Sequence, residues 1–224
     1  KAGFYPNMYA PHNVHFLSWA GMLAGDHAIA ASAAAELLTR GSPEMLEEMP
    51  QASMVMAWPA MMDARFGRWD DVLAAPEIDA QWVYGRAMRH YARGLAYVGK
   101  RDLPAAEKEL AALRNEAKNA PEDLLSFGLV NTAQEVFHIA ERVLEGRIEA
   151  AKGNTDQAVA LLTEAVSADD ALTYMEPADW PTSTRQTLGA VLLSAGRYKE
   201  AERAFREDLA KTPENGWSLF GLAE

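Results

Sequence analysis

One short pattern limits what this chain can become. A glycine, a polar residue after it, and a small or apolar residue five positions on recur at Gly25 to Ala30, Gly67 to Val72, Gly153 to Ala158 and Gly196 to Ala201. Arg101 to Ala106 repeats the pattern without the glycine. Glycine ends a helix cheaply because it enters the left-handed conformation without a Cβ clash. A polar residue behind it can accept hydrogen bonds from the free amides of the next helix, a role expected of Asp26, Asp102 and Asn154. Seven positions before the turn stands a second small residue, clearest as Gly146 and Gly189, where two helices can approach closely. The pattern therefore specifies helical hairpins joined in series.

Composition agrees with helices. Of 224 residues, 49% are hydrophobic and 24% charged, and the chain is rich in alanine, which gives up no side-chain entropy on becoming helical. The helices expected from periodicity and breakers cover 11–24, 27–40, 51–66, 69–75, 80–99, 103–118, 122–152, 155–168, 182–195, 198–211 and 214–223, giving an all-α fold. Ser42 and Pro43 read as a cap and first-turn proline of a short extra helix.

Charge and composition exclude several functions. The formal net charge of −11 repels nucleic acid and anionic lipid. The longest apolar stretch, Ala52 to Met62, is interrupted by Pro59 and is short of the ~20 residues of a membrane span. With no cysteine, disulfides, thiolate metal sites and a cysteine nucleophile are excluded, which suits the cytoplasm first and the periplasm as well. The chain starts at Lys1 and stops within a repeat, reading as a segment of a longer protein.

Leu188, Gly189, Leu192, Gly196, Tyr198, Ala201, Phe205 and Pro213 occupy the slots where the tetratricopeptide repeat consensus has large, small, large, turn, aromatic, small, aromatic and proline. Trp217, Phe220 and Gly221 begin a further copy. The chain thus resembles the tetratricopeptide repeat family, which implies a right-handed superhelical solenoid of stacked antiparallel helix pairs. One such solenoid is expected over 1–224, with about five hairpins, the start of a sixth, and insert loops near 41–50 and 169–181. The turns fall at 25, 67, 101, 153 and 196. One interval alone matches the family's period of about 34 residues, so the others carry inserts or an overlong helix. Three segments, Pro11 to Leu17, Glu176 to Trp180 and Asn215 to Leu222, also resemble segments in the repeat region of larger bacterial tetratricopeptide proteins. That likeness brings no activity with it.

In such an array the first helix of each hairpin lines the concave side. Alignment on the turns puts His12, His15, Met54, Met61, Met88, Tyr91, Arg147 and Gln186 on that stripe. The last insert adds Tyr174, Glu176 and Trp180, with Arg185 just beyond. Trp180 either stacks on a ligand or plugs the gap between two units, and Glu176 either meets a ligand or pairs with Arg185.

The leading expectation is a noncatalytic protein- or peptide-binding module that uses this groove and carries no cofactor, with no residue assigned to catalysis. The alternative is a metal-dependent enzyme or carrier. His12 and His15 share a helix face at a spacing of three, and Glu135 and His138 form a Glu-x-x-His step, so a divalent ion would use some of these with a carboxylate such as Glu176. A third reading is a scaffold that self-associates through the C-terminal half-repeat, where Trp217, Leu219, Phe220 and Leu222 form an apolar face without a following helix.

Overall fold

The computed structural model describes residues 9–40 and 43–224. Its twelve helices are α1 (Ala10–Leu23), α2 (His27–Arg40), α3 (Pro43–Glu48), α4 (Met54–Arg65), α5 (Trp69–Ala74), α6 (Val83–Gly99), α7 (Leu103–Asn119), α8 (Ala133–Lys152), α9 (Thr155–Ala171), α10 (Thr184–Ser194), α11 (Tyr198–Lys211) and α12 (Gly216–Ala223). A 3-10 turn, Pro50–Ser53, leads into α4. The helix at 43–48 lies in the first insert as expected, while Ser42, its expected cap, is outside the described residues.

The helices pack in adjacent pairs, α1 on α2, α4 on α5, α6 on α7, α8 on α9 and α10 on α11. The first members of successive pairs also touch, α4 on α6, α6 on α8 and α8 on α10, and α12 follows against α10. The turns between pair members are built as their residue types dictate. Gly25, Gly67, Gly153 and Gly196 have φ between +70° and +86°, and Arg101 takes the same left-handed position at +62°. Asp26 accepts from the Ile29 amide at 3.0 Å and Asp102 from the Ala105 amide at 3.1 Å. Asn154 does not cap as expected. Its side-chain Nδ2 donates to Glu149 Oε2 at 2.7 Å, which fixes the side chain toward the preceding helix.

The position seven residues before each turn is small in every pair: Ser18, Ala60, Gly94, Gly146 and Gly189, all buried. A Cβ added at Gly146 would come within 2.8 Å of Leu162 Cγ, and one at Gly189 within 2.6 Å of Phe205 Cε1. Ser18 turns the same proximity into a polar contact, donating from Oγ to the Ala30 carbonyl at 2.7 Å and accepting from Trp58 Nε1 at 2.9 Å.

The expected helix over 122–152 is a correction. Helix α8 starts at Ala133, where Thr132 and Glu135 form a capping box: Thr132 Oγ1 accepts from the Glu135 amide at 3.3 Å, and Glu135 Oε2 accepts from the Thr132 amide at 2.7 Å. The residues before it turn back as a loop with one antiparallel bridge, Leu125 to Thr132. Asp179 holds that loop, accepting from Ser126 Oγ at 2.8 Å, the Gly128 amide at 2.8 Å and Asn131 Nδ2 at 2.7 Å. Pro121 is a permissible helix start, but these long-range hydrogen bonds outweigh local propensity.

The last helix and the last insert reach the hairpin of α1 and α2. Trp217 Nε1 donates to the Met22 carbonyl at 3.1 Å, and Trp19 Nε1 donates to the Pro181 carbonyl at 3.2 Å. Leu219 and Phe220, on the same short helix as Trp217, remain exposed. No described helix is long and apolar enough to cross a membrane.

Candidate functional site

A cavity of about 220 Å³ lies between α4, α6 and α8, with Pro181, Thr182 and Thr187 also in its wall. Met61, Tyr91 and Arg147, drawn from the first helices of three successive pairs, all line it. They are three of the residues that turn alignment placed on the concave stripe. Arg65 joins them, a residue the stripe did not include because it is the last of α4 and its side chain reaches forward from the helix end.

Arg65 is held from two sides. Its guanidinium donates to Gln186 Oε1 and lies 4.0 Å over the Trp217 ring, a cation–π contact. Gln186 Nε2 in turn donates to Asp208 Oδ2 at 3.0 Å, and Ser218 Oγ donates to the same oxygen. Gln186 is therefore buried and spent on this chain, with its neighbours Asp208 and Ser218 also sealed from solvent. Burial lowers the Arg65 pKa to about 10; Tyr91 and Asp208 oppose that shift and Arg147 adds to it. Nε of Arg65 has no hydrogen-bond partner among the described residues.

Arg147 is less compensated. Burial lowers its pKa too, and the one opposing group is the Tyr91 phenol. Burial pushes the Tyr91 hydroxyl well above its ordinary range, so it stays protonated as a donor despite the two guanidinium groups. Tyr91 also meets Trp180 edge-on at 5.2 Å. Trp180 is 4% exposed and packs in the space beside Tyr91.

A second cavity of about 190 Å³ lies at the other side of the same insert, lined by His12, His15, Met45, Met49, Phe127 and Glu176 among others. His15 is 3% exposed, with its ring edge-on to Trp58 at 4.3 Å and to Phe127 at 5.1 Å. Its Nε2 has no partner among the described residues, and burial, aided by the neighbouring His12, lowers its pKa to about 3. It is a neutral imidazole at any ordinary pH. The insert thus walls both cavities, with Met175, Glu176 and Pro177 facing one and Pro181 and Thr182 the other.

Several expected site residues stand elsewhere. Met54 on α4 and Met88 on α6 are core residues, 5% and 1% exposed, because α4 packs against α2 and α6, and α6 against α4, α7 and α8. Glu176 does not pair with Arg185: it accepts from the Tyr174 hydroxyl, while Arg185 grips Asp170 with two hydrogen bonds of 2.6 Å. The Arg185 hydrogen bonds hold the Asp170 pKa down to about 2 against its partial burial, with Lys211 adding to the effect. Tyr174 is 78% exposed. Glu135 is committed to the capping box, and His138 borders a separate shallow hollow with Glu164 and Ala168. The Glu135–His138 step and the His12–His15 pair do not share a cavity. Among the described residues no three His, Asp or Glu side chains are grouped to hold one ion.

Sequence reading also missed Asp179, Asn131 and Arg65. No local pattern marks them, since the partners of Asp179 are 48 to 53 residues away and that of Arg65 is 121 away. Comparison with known proteins gives no match to a family model, a curated protein or a solved structure.

Proposed function

We propose that this chain is a noncatalytic binding module, a solenoid of the tetratricopeptide kind whose concave groove receives a peptide or an extended apolar segment of a partner protein. The observation that carries the reading is the convergence of Met61, Tyr91 and Arg147, from three successive first helices, on one cavity bordered by the last insert. Methionine and aromatic side chains around a few polar groups suit an adaptable recognition surface.

Panning a random peptide library against the folded protein tests this. Enriched peptides should lose binding when Thr187→Trp fills the cavity mouth and keep it when Thr163→Trp alters the separate hollow by His138. No enrichment, or equal binding by the Thr187→Trp protein, refutes the reading.

A further inference from the structure

Arginine is placed in this molecule with one consistent habit. Among the described arginines that are not exposed, Arg86, Arg89, Arg93, Arg114, Arg142, Arg185 and Arg197 each have a carboxylate within ion-pair distance. Arg65 and Arg147 break the habit. Arg65 reaches Asp208 through Gln186, and among the described residues Arg147 has no carboxylate within ion-pair distance, the favourable neighbour of its charge being the Tyr91 phenol. Both line the 220 Å³ cavity, and no Asp or Glu lines it with them. In a chain of net charge −11, two neighbouring guanidinium groups facing an acid-free cavity form a local field of the opposite sign.

Two like charges held side by side and half-buried are stabilised when an anion joins them. The remaining walls indicate what kind of anion. Met61, Met62, Trp69, Leu95 and Val143 supply apolar surface, and Thr182 and Thr187 bring hydroxyl groups at the edge. A cavity of about 150 Å³ suffices for a benzene ring, so 220 Å³ admits one ring or branched aliphatic body with a compact charged head. It is too small for a folded segment or a nucleotide.

We propose that the cavity is a recognition site for a small organic carboxylate, its head held between the guanidinium groups of Arg65 and Arg147 and its apolar body enclosed by Met61, Met62, Trp69 and Leu95. The planar fork of a guanidinium matches the two oxygens of a carboxylate, and the protonated Tyr91 hydroxyl is a further donor in the same wall. The apolar lining disfavours a multiply charged, strongly hydrated ion such as inorganic phosphate. This site stands whether or not the groove also takes a peptide, since it depends on the cavity floor alone.

The test is calorimetric titration of the full chain with phenylacetate, with 4-methylpentanoate, with 2-phenylethanol as a neutral counterpart of phenylacetate, and with inorganic phosphate. Saturable binding of at least one carboxylate is expected, at least tenfold tighter than the alcohol and than phosphate. Arg147→Met should weaken it at least tenfold. Because Arg147 has no carboxylate partner to lose, that variant should melt at or above the wild-type temperature; Arg147→Gln serves as a second variant should the first not fold. Absence of carboxylate binding at millimolar concentration, equal binding of the alcohol, preference for phosphate, or wild-type affinity in a folded Arg147 variant each overturns the proposal. Peptide panning reads the groove mouth separately, so either reading can fail while the other holds.

Discussion

His15 should make the protein acid-sensitive in a way one substitution removes. The side chain is 3% exposed between Trp58 and Phe127, and burial lowers its pKa to about 3 from the ordinary 6.5. Between those two values the unfolded chain binds a proton that the folded protein refuses, so stability is complete above pH 6.5 and falls as the pH drops toward 3. Each pH unit inside the window costs about 1.4 kcal/mol, and the loss between pH 7.5 and pH 5 comes to about 2 kcal/mol. For a chain of this length that corresponds to about 6 °C in melting temperature. The assay is urea unfolding at the two pH values for the wild type and for His15→Leu. Carboxylates held low by partners, such as Asp170, lose stability in the same direction, but they do so in both proteins and cancel in the comparison. His15→Leu should lose about 2 kcal/mol less on acidification. It should also cost little at pH 7.5, because Nε2 has no partner to be deprived of one. Equal acid losses in the two proteins, or a His15 ring that titrates near 6.5 by NMR, would refute the reasoning.

Asp179→Ala removes the acceptor shared by Ser126, Gly128 and Asn131, leaving the buried Ser126 hydroxyl and the Gly128 amide without it, while Asn131 Nδ2 keeps the Thr173 carbonyl. A loss of about 3 kcal/mol is expected by urea unfolding, with faster hydrogen exchange at the Gly128 amide; unchanged exchange there would contradict the assigned role. Arg101→Gly should stabilise by about 0.5 to 1 kcal/mol, because a non-glycine residue in the left-handed region costs about 1–2 kcal/mol and glycine's greater backbone entropy returns only part of that. A differential scan should show a rise of about 2 °C, and a fall would mean that the Arg101 side chain stabilises the turn.

What could be read from the chain before folding was whatever depends on near neighbours. The turns at Gly25, Gly67, Arg101, Gly153 and Gly196 are legible because a helix end is set by a handful of consecutive residues, and the small residue seven positions earlier because one hairpin spans it. From these follow the all-helical class and the pairing of helices. Helix 122–152 failed for the complementary reason: the loop before Ala133 exists because Asp179, about fifty residues on, supplies its hydrogen bonds, and no window of local propensity contains that partner. Met54 and Met88 match the groove pattern as well as Met61 does, and all three are buried; Met61 lines the cavity and the other two do not, since the helices packed over a stripe lie far off in the chain. The uncompensated pair of Arg65 and Arg147 is of the same kind. Each looks like an ordinary arginine in a chain with carboxylates in excess, and it is the packing of α4, α6 and α8 that places the two at one cavity and keeps every carboxylate out of its wall.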